Sequence, residues 1–175
     1  MFRFENHPRF RRYHKEFWSI ASSVVSHPDY RVLKSLSNHG KTDLYEHSIS
    51  VATKTYIICK YLQNTPFKFI NSISPERAVR GALLHDFFLY DWRKRKGIHL
   101  HGFRHPKIAL RESEKRFKLG KKERDIILHH MWPLTPVPPM CLESWVVSAM
   151  DKLSAVDEYL DEYLFLKKTK KQSSR

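Results

Sequence analysis

The chain has 175 residues, 41% of them hydrophobic and 29% charged, with a formal net charge of +14. One domain of this length buries a core without disulfides, and its two cysteines, Cys59 and Cys141, show no Cys-x-x-Cys spacing, which excludes a disulfide scaffold and points to a reducing compartment. No stretch approaches the roughly 18 uncharged apolar residues of a membrane span, and the Phe/Arg alternation of residues 1–12 is not a secretory signal, so the cytoplasm is the expected location.

In chain order, residues 11–26 read as an amphipathic helix, with Phe17, Ile20, Ala21, Val24 and Val25 recurring at steps of three and four. Pro28 then permits a short helix over 29–36. His7, His14, His27 and His39 fall in this part without grouping and are expected at the surface. Thr42 and Asp43 start the next helix, on which Leu44, His47, Val51, Thr55, Ile58 and Leu62 form one stripe up to Pro66. His47 lies on that inward stripe. Ser74-Pro75-Glu76 opens another helix with a capping hydroxyl, proline at the first position and an acid near the positive end of the dipole.

This helix carries the stretch that organises the rest, Gly81-Ala82-Leu83-Leu84-His85-Asp86. A buried imidazole beside a buried carboxylate costs several kcal/mol unless both find polar partners, and a divalent cation accepts both at once. Phe87, Phe88, Leu89, Tyr90 and Trp92 prolong the apolar run, as core or as a wall for a site, and Tyr90 and Trp132 are candidate stacking surfaces for a nucleobase. Residues 93–102 form a basic loop with Arg93, Lys94, Arg95, Lys96, His99 and His101. Pro106 suits the start of a helix over 106–119, with His105 as its cap and Gly120 as its stop. Residues 121–131 form a further helix leading into His129-His130, and Pro133 ends it. A proline-rich segment, 133–139, precedes a long helix over 142–166 whose expected buried stripe is Val146, Val147, Met150, Leu153, Val156, Leu160 and Leu164, with Asp151 beside it. The lysine-rich tail, 167–175, lacks apolar residues and is expected to fray.

No run alternates like a strand, and no repeat is present. The expected fold is therefore all-α: a single domain over 1–166, an irregular bundle of six to eight helices.

The polar residues on apolar faces or at helix ends are His47, His85, Asp86, His105, His129, His130 and Asp151. They exceed what one four- to six-coordinate metal can use, whereas two cations sharing Asp86 would use all of them. Paired cations about 3.5 to 4 Å apart activate water and clamp phosphoryl oxygens. The order His47, then His85-Asp86, then Asp151 resembles the HD-domain phosphohydrolase superfamily, and His105-Pro106 with His129-His130 resembles the extra ligands of its binuclear, HD-GYP-containing branch. The resemblance implies a first metal on His47, His85, Asp86 and Asp151, and a second on Asp86, His105, His129 and His130. It also implies a bridging hydroxide as nucleophile. Iron or manganese would be the expected metal, with cobalt, nickel, zinc or magnesium as alternatives.

Two departures stand out: Leu89 occupies a position where many relatives carry lysine, and no Gly-Tyr-Pro follows the histidine doublet. Arg93, Lys94, Arg95, Lys96 and Arg104 are the candidates to replace that lysine against phosphate, Arg104 and Lys94 foremost, and His130 is a candidate for a phosphate contact. The reading is a hydrolase of a nucleotide or similar small phosphate ester. Its alternatives are a di-iron oxygenase on the same scaffold and a metal-stabilised module binding RNA or a membrane surface through its basic charge. Oligomeric state is open.

Overall fold

A computed structural model describes residues 8–36, 42–91 and 101–173. Among these residues the chain is all-helical, with no strand: α1 (Pro8–Val25), a 3-10 helix (Pro28–Ser35), α2 (Leu44–Gln63), α3 (Lys68–Asn71), α4 (Pro75–Leu84), α5 (His101–Glu114), α6 (Lys121–His129) and α7 (Leu142–Ser173). The all-α expectation and its count of helices hold. Among the described residues, no helix is long and apolar enough to cross a membrane.

The centre of the bundle is α2, buried on nearly every side from His47 to Tyr56. Its start is fixed by Asp43, whose carboxylate accepts the Glu46 N–H at 2.8 Å. Around it pack α1, α4 and α7, and the main core joins Phe17, Tyr30, Leu33, Val51, Tyr56, Leu83, Phe87 and Ile126. Ser74 caps α4 through the Arg77 N–H, with Pro75 next in the chain. At the far end of α4 the Tyr30 hydroxyl donates to the Leu83 carbonyl at 2.8 Å, and Phe87 stacks on the Tyr30 ring at 5.8 Å. Phe87 is thus core, and it pins the backbone where His85 and Asp86 emerge.

Helices α4 and α6 meet at Gly81. A Cβ there would lie 2.5 Å from Ile126 Cδ1 and 2.9 Å from Ile126 Cβ, so the missing side chain sets how closely the two helices approach. The same pair is tied by Glu123, fully buried, which accepts from Arg77 Nη1 at 2.8 Å and Arg80 Nε at 3.3 Å. Glu143, in the first turn of α7, accepts the Ser74 N–H at 2.8 Å and Lys122 Nζ at 2.6 Å. Three helix ends meet at that one carboxylate.

Several expectations change. α5 begins at His101, so Pro106 lies inside the helix and His105 precedes it within the same helix rather than capping it. The proline forgoes one hydrogen bond, to the Gly102 carbonyl, near the end of the helix where that loss is best borne. Gly120 opens α6 instead of closing α5: its N–H donates to Glu123 Oε2 at 3.0 Å. The largest change is in α7. Val147 is buried as expected, but Leu153, Val156, Leu160 and Leu164 are about half exposed. The inward positions past residue 150 are taken by Asp151, Ser154 and Glu158, which meet polar groups of α2.

Candidate metal centre

His85 caps the C-terminal end of α4, and Asp86 follows in the turn. α2 brings His47, α5 brings His105, the last residue of α6 is followed by His130, and α7 brings Asp151. All six converge. His47, His85, His105 and His130 are at most 5% exposed, and the Asp86 and Asp151 side chains 12 and 14%. Two sets have ligand atoms close enough to share an ion: His47, His85 and Asp151; and His85, Asp86 and His130. His105 Nε2 lies 3.1 Å from Asp86 Oδ1 and 2.8 Å from His130 Nε2, which joins it to the second set.

The tautomers follow from the partners of each Nδ1. His85 Nδ1 is 2.6 Å from the Ala82 carbonyl and His130 Nδ1 is 2.9 Å from the Ile127 carbonyl. A carbonyl only accepts, so each ring donates there and turns the lone pair of Nε2 inward. His47 does the same through the Glu158 carboxylate, 2.8 Å from its Nδ1. Those three Nε2 atoms then face the carboxylates: His47 to Asp151 Oδ1 at 3.1 Å, His85 to Asp151 Oδ1 at 3.4 Å and to Asp86 Oδ2 at 3.5 Å, and His130 to Asp86 Oδ1 at 3.6 Å. With a ring neutral in that tautomer, lone pair faces lone pair unless a proton or a cation lies between. His85 Nε2 and Asp86 Oδ1 are buried and lack a hydrogen-bond partner among the described residues. Such a cluster needs positive charge at its centre, from protons or from cations.

The electrostatics express the same demand. Burial opposes a charged His47, yet the hydrogen bonds its ring donates to Asp151 and Glu158 raise its pKa to about 10. Burial likewise opposes charge on His85, and Asp86 and Asp151 raise it. Both carboxylates are held below the usual range against their own desolvation: Asp86 by His85 and His105, Asp151 by His47 and His85. His130 is pushed down to about 3 by burial and by its neighbours His85 and His105, which keeps it neutral and ready to ligate. The donor set of neutral imidazoles and carboxylates suits a borderline or hard divalent ion.

His129 is the residue of the expected set that the structure does not bring in. Adjacent helical side chains point about 100° apart, so with His130 turned to the cluster His129 meets Asp125 instead, Nδ1 to Oδ1 at 2.6 Å. Asp125 Oδ2 in turn accepts the N–H groups of Met140 and Cys141 at 3.0 and 3.1 Å. That pair straps the proline-rich segment to α6. Arg104 is exposed on α5, which places it at the surface rather than in the cluster; Lys94 lies outside the described residues, as do the rest of the basic stretch 93–96 and His99. Trp132 packs edge-on against Trp145 at 4.9 Å, and the Tyr90 ring lies tilted against Phe88 at 5.1 Å. Leu89 has φ +46°, a left-handed backbone that costs a side-chain-bearing residue about 1–2 kcal/mol.

Glu158 escaped the sequence reading. The available signal was its position two helical turns after Asp151, hence on the same face of α7. Carboxylates that hold the far nitrogen of a ligating histidine are a regular part of metal sites.

A family model for the HD domain matches residues 44–156, most of the chain, and the chain belongs to the HD domain family. The match spans α2 to α7 and includes all six converging residues. No curated protein and no solved structure matches it.

Proposed function

We propose that the chain is a metal-dependent phosphohydrolase acting on a phosphate ester of a nucleotide or similar small molecule. His47, His85, Asp86 and Asp151 would hold one divalent cation, and Asp86, His105 and His130 a second. The observation that carries this reading is the convergence of four imidazoles on two buried carboxylates, with His85 Nε2 and Asp86 Oδ1 buried and without a hydrogen-bond partner among the described residues. When bound, such cations acidify a water and offset phosphoryl charge.

The chain's own part is positioning. Glu158 and the Ala82 and Ile127 carbonyls each fix one ring in the ligating tautomer. Phe88, 3% exposed, packs edge-on against His105 at 5.8 Å and keeps bulk water from that side. The net charge of +14 favours arrival of an anionic substrate.

The test is release of phosphate or nucleoside from a pooled nucleotide panel by metal-loaded protein. Release that is lost in His85→Ala and Asp86→Ala alike supports the reading. No release with any divalent metal refutes it, and two irons that change redox state with a substrate would replace it with the oxygenase.

A further inference from the structure

The turn of α7 that carries Asp151 also reaches the other side of the cluster. Ser148, buried, donates its hydroxyl to the His130 carbonyl at 2.7 Å. Lys152 Nζ lies 2.9 Å from the same carbonyl, 2.9 Å from Ser148 Oγ and 3.1 Å from the Ser148 carbonyl. An ammonium has three N–H donors, and these three oxygens use them. Lys152 thus holds backbone and hydroxyl rather than supplying the proton that the ligand carboxylates call for.

The reason for this arrangement lies in the end of α6. A helix end leaves carbonyls without an N–H partner. In a continuing helix the His130 carbonyl would accept from the Leu134 N–H, but that N–H donates to the Met131 carbonyl at 2.8 Å. Two groups from α7 take its place. The His130 N–H is bonded to the Ile126 carbonyl and its Nδ1 to the Ile127 carbonyl, so with its own carbonyl held as well, Nε2 is the atom left to ligate. That atom sits 2.8 Å from His105 Nε2 and 3.6 Å from Asp86 Oδ1. A ligating group has to be held within about 0.5 Å of its working position, and a swing of the His130 peptide would carry the ring with it.

We propose that Lys152 and Ser148 are positioning residues for the second cation: from α7 they fix the His130 carbonyl, and through it the ring, while Asp151 on the same turn serves the first. The inference rests on the two-cation reading of the centre and not on the phosphate chemistry. A lysine that merely stood nearby would act with the opposite sign. Its charge would repel a cation, so removing it would tighten binding.

The test is a calorimetric titration of the metal-free full chain with cobalt, which needs no substrate. Wild type takes up two ions, and His130→Ala identifies the second by losing it. Lys152→Met weakens that second ion by about tenfold or more and leaves the first unchanged. Ser148→Ala shifts it in the same direction, and Lys152→Arg, which keeps a charged donor, stays nearer wild type than Lys152→Met. Circular dichroism of each metal-free variant, matching wild type, shows that the helices are retained. A second ion bound equally or more tightly by Lys152→Met, or both ions weakened alike, overturns the proposal and leaves the two-cation reading in place. A wild-type chain that takes up fewer than two ions overturns both.

Discussion

At the scale of single residues, His129 and His130 separate a strap from a ligand. They are neighbours in sequence, but one holds Asp125 and the other faces Asp86. His130→Ala is therefore expected to lower bound metal per chain, whereas His129→Ala leaves metal content unchanged and costs about 1–2 kcal/mol of stability through the freed Asp125. Elemental analysis beside chemical denaturation checks both. His47 supplies a pH dependence. Its folded pKa is raised from 6.5 to about 10, so without metal its proton is retained through that interval. The stability this proton adds is fully present below pH 6.5 and lost as pH rises through about 10. A cation must displace the same proton, so metal affinity climbs by up to about tenfold per pH unit across the window and levels off above it. Calorimetry in buffers of different ionisation heat reads the released proton directly; affinity that does not change with pH would contradict the assignment. The ligand residues were legible in the sequence because each is a polar residue on an apolar face or at a helix end. Which member of a histidine doublet turns inward was not, because it depends on the helical phase at the last turn of α6.

At the scale of elements, the centre depends on how closely α4 and α6 approach. Gly81 removes the side chain that would meet Ile126, and the two helices end at His85 and His130, whose rings are 4.9 Å apart. Gly81→Ala is expected to destabilise by about 1–3 kcal/mol despite alanine's better helix propensity, since overpacking outweighs it, and to weaken metal binding by separating the rings. A substitution that raises the thermal midpoint would show that the helices have room. Glu143 tests a second joint: replacing it by alanine strands the Ser74 N–H and Lys122 and should cost about 1–3 kcal/mol. The helix starts at Asp43 and Ser74 were readable from capping chemistry alone. The orientation of α7 was not. Apolar periodicity shows that a helix has a greasy face but not what that face meets, and here polar partners on α2 claim the inward side.

At the scale of the whole molecule, the bundle is a frame that brings side chains from α2, α4, α5, α6 and α7 to one buried point and leaves them short of positive charge. The 37 residues between His47 and His85 and the 20 between His130 and Asp151 are spanned by helices whose caps and core contacts serve that convergence. The most direct measurement is an anomalous-scattering map of crystals of the purified protein. The account predicts peaks inside the cluster, one bounded by His47, His85, Asp86 and Asp151 and a second by Asp86, His105 and His130, both absent in Asp86→Ala. A cluster free of metal after incubation with iron, manganese, cobalt, nickel and zinc, its histidines bonded to the two carboxylates through protons alone, would contradict it.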